Sequence, residues 1–280
     1  LTTMAYLENN ITVGKNQSRQ LVILDDSSHL QSNEEQCDIV MEENSTLELY
    51  RIQNLNDDSH LTTHINIQQA RNSSVHFVLV TFNTGFVQNN IHVDLNGEGA
   101  DLQIYGLYLL DKKQHVENLM KINHNVPNCS SNEKFKGILD DEASAVFNGH
   151  VMVAPHAQKT NAYQNNSNII LTDKAKINTM PFLEIYADDV KCSHGTSTGQ
   201  LDQDAMFYMR QRGIKKEDAR MLLMYAFAAE ISNHIKIESV HDSIDDMIKR
   251  RLKGELSSCD TCIFQCSNKE KVFKIDMSKI

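Results

Sequence analysis

The residues best suited to chemistry lie in one short run, Val190-Lys-Cys-Ser-His-Gly195. If Val190 to His194 is extended, alternation puts Val190, Cys192 and His194 on one face. The β-carbons of Cys192 and His194 then lie roughly 6.6 Å apart, twice the rise per strand residue. A thiolate and an imidazole are both ligands for iron or zinc. They are only two ligands, so a partner chain, a water or another residue must complete any site. The plain alternative is that Cys192 continues a core behind Val190 and His194 hydrogen-bonds at a strand end. Near the end of the chain, Cys259-Asp-Thr-Cys262 with Cys266 forms a CxxCxxxC array. Given a fourth ligand, such thiolates contribute to a zinc or iron–sulfur site; otherwise they are incidental thiols of an exposed tail. Cys37 has no partner in sequence, and Cys129 reads as a buried or loop thiol. His60, His64, His124 and His156 are scattered, as surface or core histidines usually are. Asp188-Asp189 offers a carboxylate pair to a glycan-cleaving enzyme, but adjacent strand residues point to opposite faces.

The elements that position these residues change character near Gly199. Before it, short runs of β-formers alternate with polar breaks: Leu21-Val-Ile-Leu24, Leu47-Glu-Leu-Tyr50, Val75-His-Phe-Val-Leu-Val80 and Ile169-Ile-Leu171. Ile91, Val93 and Leu95 face opposite His92 and Asp94; Leu102 and Ile104, and Val151 and Val153, repeat the pattern. Breaks fall at residues 54–58, 96–99 and 111–113, too close together for intervening helices. An antiparallel sandwich or a parallel β-helix fits this spacing. Lone Asn-Gly or Asp-Gly hairpin turns are lacking and Asn is abundant, which favours the β-helix, where Asn can stack in ladders at corners. No exact repeat period is visible. Stacked parallel strands are expected from about residue 20 to 198, with Leu102, Ile104, Val151, Val153, Ile185 and Val190 buried.

After Gly199 the period becomes helical. Leu201-Asp202 reads as staple and N-cap of a short helix that ends at Gly213. Ala219, Leu222, Leu223, Ala226, Phe227 and Ile231 form an apolar stripe. A third helix is expected from Ser239, with Ser239 and Asp242 as a capping pair and Val240, Ile244, Met247, Ile248 and Leu252 on one face. Lys215, Lys216, Lys249, Arg250 and Arg251 read as a solvated face. The division expected is residues 1–199 as β-helix core, 200–254 as a small C-terminal helical domain and 255–280 as a Cys-containing tail.

Charge and composition narrow the function. Against 27 Lys+Arg stand 37 Asp+Glu, a formal charge of −10. That disfavours nucleic acid and anionic membrane, which need clustered positive charge. No run approaches the ~20 apolar residues of a membrane span. The first residues lack the basic and apolar regions of a secretory signal, and six Cys is far from disulfide-scaffold density. A cytoplasmic protein with reduced thiols is expected. The chain opens on Leu1 rather than Met, so an upstream segment is expected. A Walker motif is absent from the sequence, so any ATP hydrolysis must come from a partner.

The run Leu183 to Gly195, then Gly199-Gln-Leu-Asp202 and Phe207 to Ile214, resembles the signature of the SufB/SufD family, the scaffold subunits of SUF iron–sulfur cluster assembly. Upstream, His124 to Ser131, Lys136 to Leu139, Val146 to Gly149 and Ala157 to Thr160 also match, as do Asp94 to Gly97 and Gly106 to Tyr108. Lys191-Cys-Ser-His-Gly195 is closer to the SufD branch, because SufB carries a His-Glu pair where this sequence has His194-Gly195. The resemblance implies a right-handed parallel β-helix followed by a small C-terminal helical domain, with the family's N-terminal helical segment absent. It implies a non-catalytic scaffold pairing with a SufB-like subunit and docking a SufC-like ATPase through the C-terminal helices, here Arg210, Arg212, Lys216, Glu217 and Arg220. Cys192 and His194, His194 foremost, would act on a transient iron or iron–sulfur cluster at the partner interface. No cofactor is expected to be tightly bound, and a homodimer is expected in isolation, with its contact around residues 170–198. A β-helical polysaccharide lyase or hydrolase and an inert β-helical interaction module are the alternatives.

Overall fold

Odd-numbered and even-numbered strands of this chain meet different surroundings, and their sequences differ accordingly. The computed structural model describes residues 2–5, 8–26 and 34–254. One parallel sheet holds, in spatial order, β1 (Thr2–Ala5), β3 (Ser18–Asp26), β5 (Thr46–Asn54), β7 (Ser74–Asn83), β9 (Asp101–Leu110), β11 (Ser130–Leu139), β13 (Asn161–Ile170) and β15 (Lys191–Gly199). The other holds β2 (Asn10–Val13), β4 (Glu34–Met41), β6 (His60–Gln69), β8 (Phe86–Leu95), β10 (His115–His124), β12 (Ser144–Val153) and β14 (Lys176–Ile185). The chain alternates between the sheets, so it forms a parallel β-solenoid. From β3 onward each strand pairs with the strand two before it, in register except for a shift at Gln53/Asn54 between β5 and β7. The turn length varies: Phe86 pairs with His60, 26 residues back, whereas Lys176 pairs with Ser144, 32 back. That variation hides the repeat in the sequence.

The apolar core lies between the sheets and includes Leu49, Phe77, Ile104, Phe135, Ile91, Phe147, Val151 and Val153. β8 and β12 alternate buried and half-buried, because one face meets the core and the other meets solvent. β7 is buried on both faces after its first residue, which accounts for the unbroken run Val75 to Val80. Three helices supply its second cover: α1 (Gln203–Gln211), α2 (Lys216–Ser232) and α3 (Glu238–Leu252). Met224, Ala228, Ile231, Ile235, Ile244 and Ile248 pack in one cluster with Tyr50, Ile52, Val78, Val80, Leu107 and Leu109 on the outer face of the odd sheet. Tyr50 also accepts the Lys236 backbone N–H through its hydroxyl at 3.2 Å.

Corners and interior both use amides. Asn16, Asn44 and Asn72 occupy successive corners with φ of 58°, 56° and 54°, and each side chain donates to the one before at 3.0 and 3.1 Å. Gly99 continues this corner at φ +75°, where a β-carbon would sit 2.4 Å from Asn72 Oδ1. Inside, Gln53, Thr63, Thr81, Asn89 and Asn118 share one buried network, and Tyr108, Asn166 and Asn168 form another. Such networks fix register, because a slipped rung would strand buried amides without partners.

Several sequence expectations need correction. Ile185 is 40% exposed. It faces inward opposite Val153, but among the described residues no further strand stacks on β14. Val190 is half-buried for the same reason. The α2 stripe is turned: Ala219, Met224, Ala228 and Ile231 are buried, while Ala226 is exposed. This helix touches α1, α3, β9 and β11, so its apolar surface is spread around its axis. Ser239 and Asp242 do not cap α3, whose N-cap is Ile237 without a side-chain bond. Arg251 is buried, paired with Asp111 at 2.6 Å and bonded to Gln114 Oε1 at 2.9 Å. Asp202 does cap α1, accepting from the Asp204 and Ala205 N–H groups, and Gly213 follows at φ +86°.

Candidate functional site

Strands β14 and β15 end the two sheets, each hydrogen-bonded to one neighbour only among the described residues. Inward side chains that would be sealed lower in the solenoid are therefore reachable here. Cys192 lies above Ala162 and His194 above Gln164, both in register. Ala162 and Gln164 face the interior, so Cys192 and His194 share that inward face. Cys192 is half-buried against the core, whereas His194 is exposed. Burial pushes the Cys192 thiol up, offset in part by a backbone hydrogen bond at Ala162. The thiol therefore stays protonated at neutral pH unless a metal displaces the proton. No group of three or more His, Cys, Asp or Glu placed to hold a metal ion occurs among the described residues. The end of the solenoid thus carries two potential ligands and an open remainder.

The rim of this end is apolar on β14 and the corner after it. Met180, Phe182, Ile185 and Tyr186 are all exposed large side chains. Phe182 lies 5.2 Å from the His150 ring, and His150 bonds Glu184 at 3.0 Å. Glu184 also accepts from the Tyr186 hydroxyl, which holds the carboxylate low and the phenol high. Asp188 and Asp189 sit exposed on the same corner, where the Asp189 N–H donates to Gln158 Oε1.

The expected docking residues divide into three settings. Arg210, Lys216 and Glu217 line one groove between α1 and α2, together with Phe207 and Ile214. Arg212 lies over the Tyr208 ring at 4.7 Å. Arg220 turns instead toward the solenoid and pairs with Asp140 at 3.3 Å. Sequence reasoning gave Phe207 and Tyr208 no role beyond the family signature, although both are exposed on α1. It also passed over Glu133 and Gln164, which lie beneath His194; their only sequence signal is their place in phase with Phe135 and Ala162. Cys259, Cys262 and Cys266 lie outside the described residues.

The fold and the site together define a class: a two-sheet parallel β-solenoid, open at the last turn of the described residues, with a helical layer over one sheet. The profile of the "SUF system FeS cluster assembly, SufBD core domain" matches residues 2–227. The chain belongs to that family, on its SufD side. It is 36% identical over 196 residues to the iron–sulfur cluster assembly protein SufD of Escherichia coli, covering 70% of this chain and 46% of that protein. A SufBD family protein of Synechocystis is 36% identical over 225 residues, covering 80% and 47%. SufD of Bacillus subtilis is 29% identical over 223 residues, covering 77% and 50%. The chain spans about half the length of these relatives. No helix among the described residues is long and apolar enough to cross a membrane.

Proposed function

We propose that this chain is a non-catalytic scaffold subunit in SUF iron–sulfur cluster assembly, working in the cytoplasm. Its open end closes against a SufB-like subunit, or against a second copy of itself in isolation. The observation that carries this reading is the last turn of the solenoid: two inward ligands, Cys192 and His194, laid open beside an apolar rim. Iron or a nascent cluster is the cargo there, not a resident cofactor. Two ligands from this chain leave the remaining positions to the partner, so the cargo is released when the partner or an acceptor withdraws its own. His194 is the readier ligand, because Cys192 must first lose a proton that burial holds on.

The same reading assigns the α1–α2 groove to a SufC-like ATPase. Phe207, 63% exposed, offers an aromatic anchor, and Arg210, Lys216 and Glu217 a charged rim. A β-helical lyase or an inert module is the weaker reading. Family membership favours assembly, and Asp188 and Asp189 are neighbours on an exposed corner rather than two walls of a cleft.

The test is anaerobic reconstitution of the full complex with iron and sulfide, wild type beside His194→Ala. The variant should assemble normally and hold several-fold less iron and sulfide. Equal loading in an intact complex would return His194 to an ordinary strand-end histidine.

A further inference from the structure

On the outer face of the even-numbered sheet, away from the open end, three side chains converge. His92 and Asp94 stand two apart on β8 and so share that face, and Asn123 of β10 lies in register with Asp94. Asn123 Nδ2 is 2.7 Å from Asp94 Oδ1 and 2.9 Å from His92 Nε2, and those two atoms are 3.4 Å apart. A carboxylate only accepts, so the amide must turn its nitrogen toward Asp94. That nitrogen only donates, so His92 Nε2 presents its lone pair and Nδ1 carries the hydrogen of the neutral ring. Two lone pairs, one from an imidazole and one from a carboxylate, are thereby aimed at a single point.

The amide that fills this point is itself only half satisfied. Asn123 is 8% exposed, and its Oδ1 is buried with no hydrogen-bond partner among the described residues. Donor atoms about 2.1 Å from a four-coordinate divalent ion stand about 3.4 Å apart. His92 Nε2 and Asp94 Oδ1 already hold that separation. When the amide turns over, Oδ1 takes the place of the nitrogen and becomes a third donor. Turning loses the two bonds that an ion replaces, and at worst leaves Nδ2 unpaired where Oδ1 is unpaired now. The His92 and Asp94 side chains are 38% and 26% exposed, and His92 borders an open groove of about 620 Å³, so a hydrated ion can reach them.

We propose that His92, Asp94 and Asn123 form a site for a first-row divalent ion. His92 Nε2, an Asp94 carboxylate oxygen and Asn123 Oδ1 are its ligands, and water fills the rest of the shell. One imidazole and two oxygens suit ferrous iron, manganese or zinc, and not a cluster or copper(I), which call for thiolate. Only two of the three ligands belong to His, Cys, Asp and Glu, the types that usually announce a metal in a sequence. Lys121, exposed and in register with His92, opposes the charge of the ion and keeps it exchangeable. The trio lies three strands from β14, about 14 Å along the axis, and faces outward where Cys192 and His194 face inward, so it is a separate site. The site stands whether or not the scaffold reading holds; only the choice of Fe²⁺ as its natural ion rests on that reading.

Histidine-ring and side-chain amide ¹H–¹⁵N spectra of the full metal-free chain, followed while Zn²⁺ is added, read the site directly, with His92→Ala supplying the assignment. Before metal, His92 should carry its hydrogen on Nδ1. With Zn²⁺, the His92 Nε2 and Asn123 Nδ2 signals should shift together with one midpoint, and anaerobic Fe²⁺ should broaden the same pair. Both signals are residue-specific, so zinc taken by thiols elsewhere does not confuse the reading. Asp94→Asn and Asn123→Leu should each raise the midpoint at least about tenfold, whereas His150→Gln, in the neighbouring imidazole–carboxylate pair, should leave it where it is. A His92 signal indifferent to Zn²⁺ would overturn the proposal, as would an Asn123 amide that stays fixed while His92 shifts, or an unchanged midpoint in N123L. If N123L loses its native melting transition, the Asn123 amide of the wild type still decides. The scaffold reading fails by a different result, normal cluster loading in His194→Ala, which leaves the His92 titration untouched.

Discussion

Phe182 gives the sharpest test of whether the last turn of the solenoid is an interface. The ring sits on the terminal strand β14 and is 57% exposed. An aromatic side chain carries about 200 Å² of surface, so about 110 Å² of Phe182 faces water. Covering that area at about 25 cal/mol per Å² contributes about 3 kcal/mol. Phe182→Ala should therefore weaken a one-to-one heterodimer by about two decades in Kd. A two-fold homodimer carries the substitution twice and should weaken by up to about four, less whatever neighbouring side chains recover. Sedimentation velocity over a dilution series reads this directly. Val40→Ala is the control: Val40 is 44% exposed on β4, five strands from β14 in the same sheet and next to its far edge strand β2. It should leave Kd within about twofold. Association that changes by less than about threefold in F182A, or by as much in V40A, would refute an interface at β14.

Three other outcomes are expected. Burial lifts the Glu133 carboxyl to about 8, so its folded state holds a proton that the unfolded chain releases near pH 4.5. That stability is complete below the unfolded pKa and is lost as pH rises toward 8. E133Q cannot ionise, so urea melts from pH 5 to 8 should show its stability gaining on wild type by up to about 1.4 kcal/mol per pH unit; parallel curves would contradict the assignment. Arg251→Met removes the buried partner of Asp111 and the bonds to Leu109 O and Gln114; thermal melts should show a loss of about 3 kcal/mol, and a loss under 1 would mean α3 is held by its apolar face alone. Phe207→Asp on α1 should weaken capture of a SufC-like ATPase at least tenfold with the melting temperature unchanged, and undiminished capture would move the docking surface elsewhere.

Much of the fold could be read because its causes are local. The strand-to-helix change at Gly199, the Asp202 cap and the α3 stripe each follow from neighbouring residues. Burial at Leu102, Ile104, Val151 and Val153 follows from alternation. What escaped depends on stacking along the axis. Ile185 alternates as Val153 does, yet among the described residues only Val153 has a rung above it, and no local pattern says which strand ends the stack. Arg251 reads as a solvated terminal basic residue until α3 is laid over Asp111, 140 positions earlier. The Glu133–Gln164 pair is 31 residues apart in a chain whose turn length drifts, so no fixed offset links them. The Cys192 and His194 pair was visible because both residues lie on one strand, where period two suffices.

The architecture also bears on where a transient cluster can form in such a protein. Below the last turn, the space between the sheets is filled: Phe77, Tyr108, Phe135 and Phe147 are essentially inaccessible, and Gly106, Gly137 and Gly149 have no room even for a methyl group. No cluster could enter there without unstacking rungs. On the outer faces, one sheet lies under the helices and the other carries side chains already paired with one another, such as His115 with Glu117 and His150 with Glu184. An inward ligand reachable from outside therefore requires a terminal turn, and a terminal turn leaves unpaired strand edges that favour association. Ligand access and the tendency to pair arise from the same missing rung. On the reading proposed here, one partner both covers Phe182 and completes the shell around Cys192 and His194, so F182A should lower cluster loading through lost pairing while His194→Ala lowers it with pairing intact.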